Sequence, residues 1–206
     1  MPAKRKRPDG YHHGDLRRGL LDAALAIIEE DGVAAVTIRA LARRLGVSHA
    51  APAHHFPDRG ALLVAVATEG FAAFADALEQ AAAGEREPRA RFRALGRAYL
   101  RFAADHPAHL RLMFGRGLES VVPSSALLDE GHRAYAALTA AVAALAPRSS
   151  VPIDERAFAA WALVHGMAVL WIDGATGPML RDRGAFLALA DRIVARALLS
   201  LEEPRR

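Results

Sequence analysis

From Asp15 to Leu201 apolar residues recur at three- and four-residue spacing, while the β-branched alternation that a strand needs is almost missing. Such a chain can bury its apolar surface only by laying helix on helix, so the expected fold class is all-α. With 206 residues, 52% of them apolar, it can build a sizeable core as one large domain or two small ones sharing a helix. Glycine and proline cut the periodicity into about nine helices. The first spans Asp15–Asp31, with Leu16, Leu20, Ala24, Ile27 and Ile28 on one face and Gly32 as its stop. Short helices at Ile38–Leu45 and His49–His55 follow. A longer one at Gly60–Ala82 turns Leu62, Leu63, Val66, Phe74 and Leu78 inward. Pro88 opens a helix striped with Phe92, Leu95, Tyr99 and Phe102, and Pro107 opens a short one ending at Phe114. After the loop Arg116–Pro123 comes a helix carrying Leu128, Gly131, Tyr135, Leu138, Val142 and Leu145. The last two helices are Ile153–Ile172 and Arg183–Leu201.

Whole classes of function drop out early. Cysteine is absent, which removes disulfides, thiolate chemistry and the usual ligands of a structural zinc site. Neither G-x-S-x-G nor G-x-G-x-x-G occurs. His12-His13 and His54-His55 are adjacent pairs, which on a helix point about 100° apart and chelate poorly. Asp154 and Glu155 precede a helix and answer its dipole. No catalytic residue, metal or cofactor is expected. The longest apolar run, Ala157–Ile172, is broken by His165 and Gly166 and reads as a buried helix, so no membrane partner is expected. No signal-type apolar stretch follows Lys4–Arg7, and a cytoplasmic location is expected.

Net charge is only +4, but its distribution is uneven. Residues 1–60 hold ten Lys/Arg against seven Asp/Glu, and the remainder is nearly balanced. A basic arm, residues 1–14, ahead of a compact helical segment is the footprint of a nucleic-acid binder or simply a solvated terminus; the motif must decide. That motif is Thr37-Ile-Arg-Ala-Leu-Ala-Arg-Arg-Leu-Gly-Val-Ser-His-Ala-Ala-Pro-Ala-His-His-Phe56. Thr37 can cap one helix and Val36 can staple onto Leu41. Gly46 can end that helix, and Ser48 can cap the next. Two short helices around a glycine turn make a helix-turn-helix, whose second member can enter the major groove of duplex DNA.

From Gly14 to about Gly70 the sequence resembles the DNA-binding domain of the TetR family of regulators. The likeness rests on Asp22-Ala-Ala-Leu-Ala, Glu30-Asp-Gly-Val, Thr37-Ile-Arg-Ala-Leu-Ala, Gly46-Val-Ser, His55-Phe56 and Asp58-Arg-Gly-Ala-Leu-Leu63. The later segment Trp161-Ala-Leu-Val-His-Gly-Met-Ala-Val-Leu-Trp171 resembles a C-terminal domain found in one branch of that family. The resemblance implies that Thr37 and Ser48 bond phosphates and that Arg39 reaches a base edge or phosphate. It implies that His49 and Ala50 face bases, that His54 and His55 lie near the backbone, and that Arg59 holds a phosphate. Two positions depart from a simple match. Ala53 stands where the family usually has an aromatic, most often Tyr, whose hydroxyl commonly contacts phosphate. Pro52 either strains a helix begun at His49 or sits harmlessly at the first position after Ala51, and a short helix with a loosened first turn is expected.

The organisation implied is a DNA-binding domain over 15–60 and a helical bundle over 61–206, connected by helix 61–83. The bundle would bind a small-molecule effector and form a homodimer through its last two helices, so that the dimer reads a palindromic operator in double-stranded DNA. Candidate liners of the effector pocket are Tyr99, Phe102, Met113, Phe114, Tyr135, Trp161, His165 and Trp171, apolar bodies with several polar tips. A rival reading is a helical homodimer that has kept the fold and lost DNA binding, for which Ala53 is the one argument.

Overall fold

The computed structural model describes residues 13–119, 121–177, 180 and 182–201. The arm residues Lys4–Arg7 and His12 lie outside them. Among the described residues there is no strand, and eight α-helices follow one another: α1 His13–Asp31, α2 Ile38–Leu45, α3 Arg59–Ala83, α4 Pro88–Asp105, α5 Pro107–Phe114, α6 Ser125–Leu145, α7 Ile153–Ile172 and α8 Arg183–Leu201. Two short 3₁₀ turns, Val33–Ala35 and Ala51–His54, flank α2. The expected third helix at His49–His55 is therefore one 3₁₀ turn. Pro52 has no N–H to continue an α pattern, and the N–H of Ala51 donates instead to the Ser48 carbonyl at 3.1 Å.

Capping explains most boundaries. The side chains of Thr37, Asp58, Glu87 and Ser124 accept from backbone N–H groups of Ala40, Ala61, Ala90 and Leu127 at 2.8–3.1 Å. Gly46 ends α2 at φ +66°, a left-handed conformation that a side chain rarely adopts. Arg156, 8% exposed in the first turn of α7, donates to the carbonyls of Val142 and Ala146 at the end of α6. A cation there meets the negative end of the α6 dipole.

Two buried clusters meet along α3. Leu62, Leu63, Val66 and Ala67 pack with α1, α2 and Phe56, while Phe74, Ala75 and Leu78 pack with α4, α6, α7 and α8. By length and composition α3 is apolar enough to cross a membrane, as the core helix of a globular bundle also can be. Here its apolar surface is spent on α1, α4, α5 and α6. The helix is a spine joining the N-terminal helices to the bundle.

Candidate functional site

The N-terminal surface is set by α2 and the turn behind it. Thr37 is exposed in extended backbone, and its oxygen accepts from Ala40, which leaves its O–H unused as a donor in that bond. Arg39 follows in the first turn of α2 and is also exposed. Past Gly46, Ser48, His49 and Ala50 stand exposed, then Ala53 and His54, while His55 is half-buried. The cap position of the turn is Ala50 rather than Ser48, whose carbonyl accepts from Ala51. Pro52 is buried in the first turn, and its carbonyl accepts from His55 and Phe56 at 3.0 and 2.9 Å. The tight 3₁₀ geometry thus presents a short run of exposed positions, 48–50 and 53–54, beside the N-terminus of α2. Ala53 offers only a methyl where a phenol would reach a phosphate.

Arg59 stands half-buried behind this surface. Its Nε donates to the Val36 carbonyl at 2.6 Å and its Nη2 to the Val33 carbonyl at 2.8 Å. The guanidinium braces the 3₁₀ turn before α2 with two of its five donors. Arg44 makes a second brace, a two-pronged pair with Glu30 at 2.6 and 2.7 Å that ties α2 to α1.

The bundle holds a cavity of about 310 Å³ that opens to solvent beside Tyr135. Phe71, Phe74 and Leu78 wall it from α3, Phe92, Leu95, Gly96 and Tyr99 from α4, and Phe114 from the end of α5. Gly131, Ala134, Tyr135 and Leu138 of α6, Ala160, Trp161, Leu163 and Val164 of α7, and Val194 of α8 complete it. The rings meet mostly edge to face: Phe74 with Tyr99 at 5.0 Å and 90°, Phe71 with Phe114 at 5.4 Å and 69°. The polar contact at the wall is between Tyr99 Oη and His165 Nδ1, 2.7 Å apart. Burial pushes the Tyr99 hydroxyl up, well above the ordinary phenol value, partly offset by hydrogen bonding with Trp161. Burial also pushes the His165 imidazole down, which favours its neutral form.

Four expected liners, Tyr99, Phe114, Tyr135 and Trp161, come together on this wall. Four do not. Phe102 packs against Phe74 and His106, Met113 approaches Gly70, Trp171 stacks on Phe186 at 4.5 Å, and His165 stands behind Tyr99 as its partner. Phe71, Gly96, Ala134, Ala160, Leu163, Val164 and Val194 line it beyond the sequence expectation, and helical spacing places Phe74, Leu78, Phe92, Leu95, Gly131 and Leu138 inward without indicating a cavity. A signal was available in Gly96, Gly131, Ala134 and Ala160: small residues at interior positions leave a space that the facing aromatics cannot fill.

Residues 20–66 match the family of bacterial regulatory proteins named for TetR, and residues 92–196 match the tetracyclin repressor-like C-terminal domain. A solved structure of a protein of unknown function from Rhodococcus sp. RHA1 is 38% identical. The match covers 93% of this chain and 98% of that one, with a TM-score of 0.71. A regulatory protein of the tetR family from Rhodococcus RHA1 is 21% identical over 92% of this chain and 98% of its own, with a TM-score of 0.77. The transcriptional regulator FadR from Bacillus subtilis, solved with stearoyl-CoA, shares the fold at 12% identity and a TM-score of 0.70, covering 89% and 97%. No curated protein matches.

Proposed function

The chain belongs to the TetR family of transcriptional regulators, and from that we propose that it is a repressor released from a palindromic operator when a small hydrophobic molecule fills the bundle cavity. The observation that carries the reading is the aromatic-walled cavity, set in the same chain as an exposed helix-turn-helix surface. In this reading Thr37, Ser48 and His54 hold phosphates, Arg39 takes a phosphate or base edge, and His49 and Ala50 face bases, with His55 close to the backbone. Arg59 acts one step back, by holding the turn that positions Thr37.

A short route joins the two regions. Phe114 is a cavity wall, and three residues later Gly117 lies so close to Val33 that a Cβ on it would sit 2.5 Å from Val33 Cγ1. Leu118 packs into the N-terminal core, and the Val33 carbonyl is one of the two that Arg59 holds. A ligand that moves Phe114 therefore pushes on the turn ahead of α2. Release follows if the ligand favours the state whose half-sites are wrongly spaced.

The dimer forms through α7 and α8. Phe158, Val169 and Leu170 are exposed apolar residues on α7, and Gly166 between them has nothing within 4 Å of a built Cβ. Such a face on one protomer fits a second copy.

Selection from a random duplex library tests the reading. The expected product is two inverted half-sites about one helical turn apart, with affinity falling steeply as salt rises. His49→Ala should relax the preference at one base pair in each half-site. Absence of binding even at low salt would sink the reading and leave a helical homodimer that has lost DNA, with Ala53 as its cause.

A further inference from the structure

The cavity wall carries no Lys, Arg, Asp or Glu. An ion placed deep inside, away from the open side, would lose most of its hydration and meet no counter-charge on the wall, which weighs against carboxylate, phosphate and ammonium groups there. The aromatic edges of Phe71, Phe74 and Phe114 suit a flat apolar body. Three side chains with polar tips, Tyr99, Tyr135 and Trp161, interrupt them, Tyr135 at the exposed rim and Tyr99 the most deeply buried. Tyr99 is 5% exposed, lines the cavity, and has its Oη at 2.7 Å from His165 Nδ1. We infer that the effector is an uncharged, largely apolar molecule bearing a single hydroxyl or carbonyl group, which docks on the Tyr99–His165 pair. This rests on the reading of the cavity as a ligand site and names the chemistry that site accepts.

A neutral imidazole makes the pair adaptable. If Nδ1 accepts the Tyr99 proton, the phenol oxygen is left as an acceptor that Trp161 and a ligand hydroxyl would share. If the tautomer changes, Nδ1–H donates to that oxygen and the Tyr99 O–H is released toward a ligand carbonyl. Neither arrangement supplies the full positive charge that an anion needs. The cavity lies at the small end of ligand sites, which run from about 300 to 1,000 Å³, so a compact ring system fits better than a long branched one.

The full chain, free of DNA, is titrated by calorimetry at neutral pH with 2-naphthol, 2-acetylnaphthalene, naphthalene, 2-naphthoate and trimethylphenylammonium. The expected result is that the first two bind up to about tenfold tighter than naphthalene, the worth of one hydrogen bond, and tighter than either ion. In Tyr99→Phe that preference should shrink to about twofold or less while naphthalene affinity is kept, because only the hydroxyl is removed. His165→Leu should shrink it likewise if Tyr99→Phe fails to fold. The inference is overturned if an ion binds as tightly as the neutral polar compounds, if neither of those exceeds naphthalene, or if Tyr99→Phe keeps the full preference. An operator found while these preferences are absent defeats the inference alone. Preferences found without any DNA binding defeat the repressor reading and leave the ligand chemistry standing.

Discussion

Arg59 shows how one side chain can serve a recognition surface without touching what is recognised. Residues 33–37 must leave a 3₁₀ turn, run extended, and enter α2 with Thr37 in place to cap it. The Val33 carbonyl accepts from the Val36 N–H at 3.2 Å and gains a second donor from the Arg59 guanidinium, which also serves the Val36 carbonyl. Charge-assisted bonds of this kind are worth more than neutral ones, although partial exposure reduces the figure. Arg59→Ala should therefore cost about 1–3 kcal/mol of stability and lower the unfolding temperature. The slope of log affinity against log salt should stay as in the wild type, since no phosphate contact is lost. A thermal melt and a salt series on a selected operator check both halves. A flattened slope with an unchanged melt would return Arg59 to the DNA backbone.

At the scale of elements, helices meet where one of them gives up a side chain. Gly70 on α3 lies under α5, and a built Cβ there would stand 2.7 Å from His109 Cδ2 and 2.9 Å from Met113 Sδ. His109 is a ring held between α1, α3 and α5, and burial pushes its pKa down. Gly70→Ala gains up to about 1 kcal/mol of helix propensity but must displace both side chains, so a net loss of about 1–2 kcal/mol is expected. Urea unfolding should show a lower midpoint with an unchanged slope. Most element boundaries were legible because their signals are local: Thr37 and Gly46 bracket α2, and Pro88 and Pro107 open α4 and α5. The turn at Ala51–His54 was less so, because Pro52 allowed two geometries and only the packing of its buried ring selects one. The cavity was half legible. Helical spacing says that Tyr99 and Phe102 both face inward. It does not say that Phe102 fills its space against Phe74 while Tyr99 borders a void opened by glycines and alanines on other helices.

For the whole molecule, the open question is what covers α7. Phe158 is 61% exposed and Leu170 52% exposed, a poor arrangement for a helix in water unless another chain lies against it. Gly166 makes the point testable, because within the protomer nothing lies within 4 Å of a Cβ built on it. Gly166→Leu should therefore leave the protomer fold intact. If α7 crosses its counterpart closely at this glycine, the added side chain prevents the approach. Sedimentation should then report a species near the 22.1 kDa chain mass in place of one twice as large. Phe158→Glu should act the same way by burying a carboxylate in the interface. Both variants should lose operator affinity well beyond their effect on folding, because one protomer reads one half-site and forfeits the gain from binding two at once. A Gly166→Leu protein that stays dimeric and binds its operator normally would place the dimer seam elsewhere, and the exposed Phe158 face would then need another occupant.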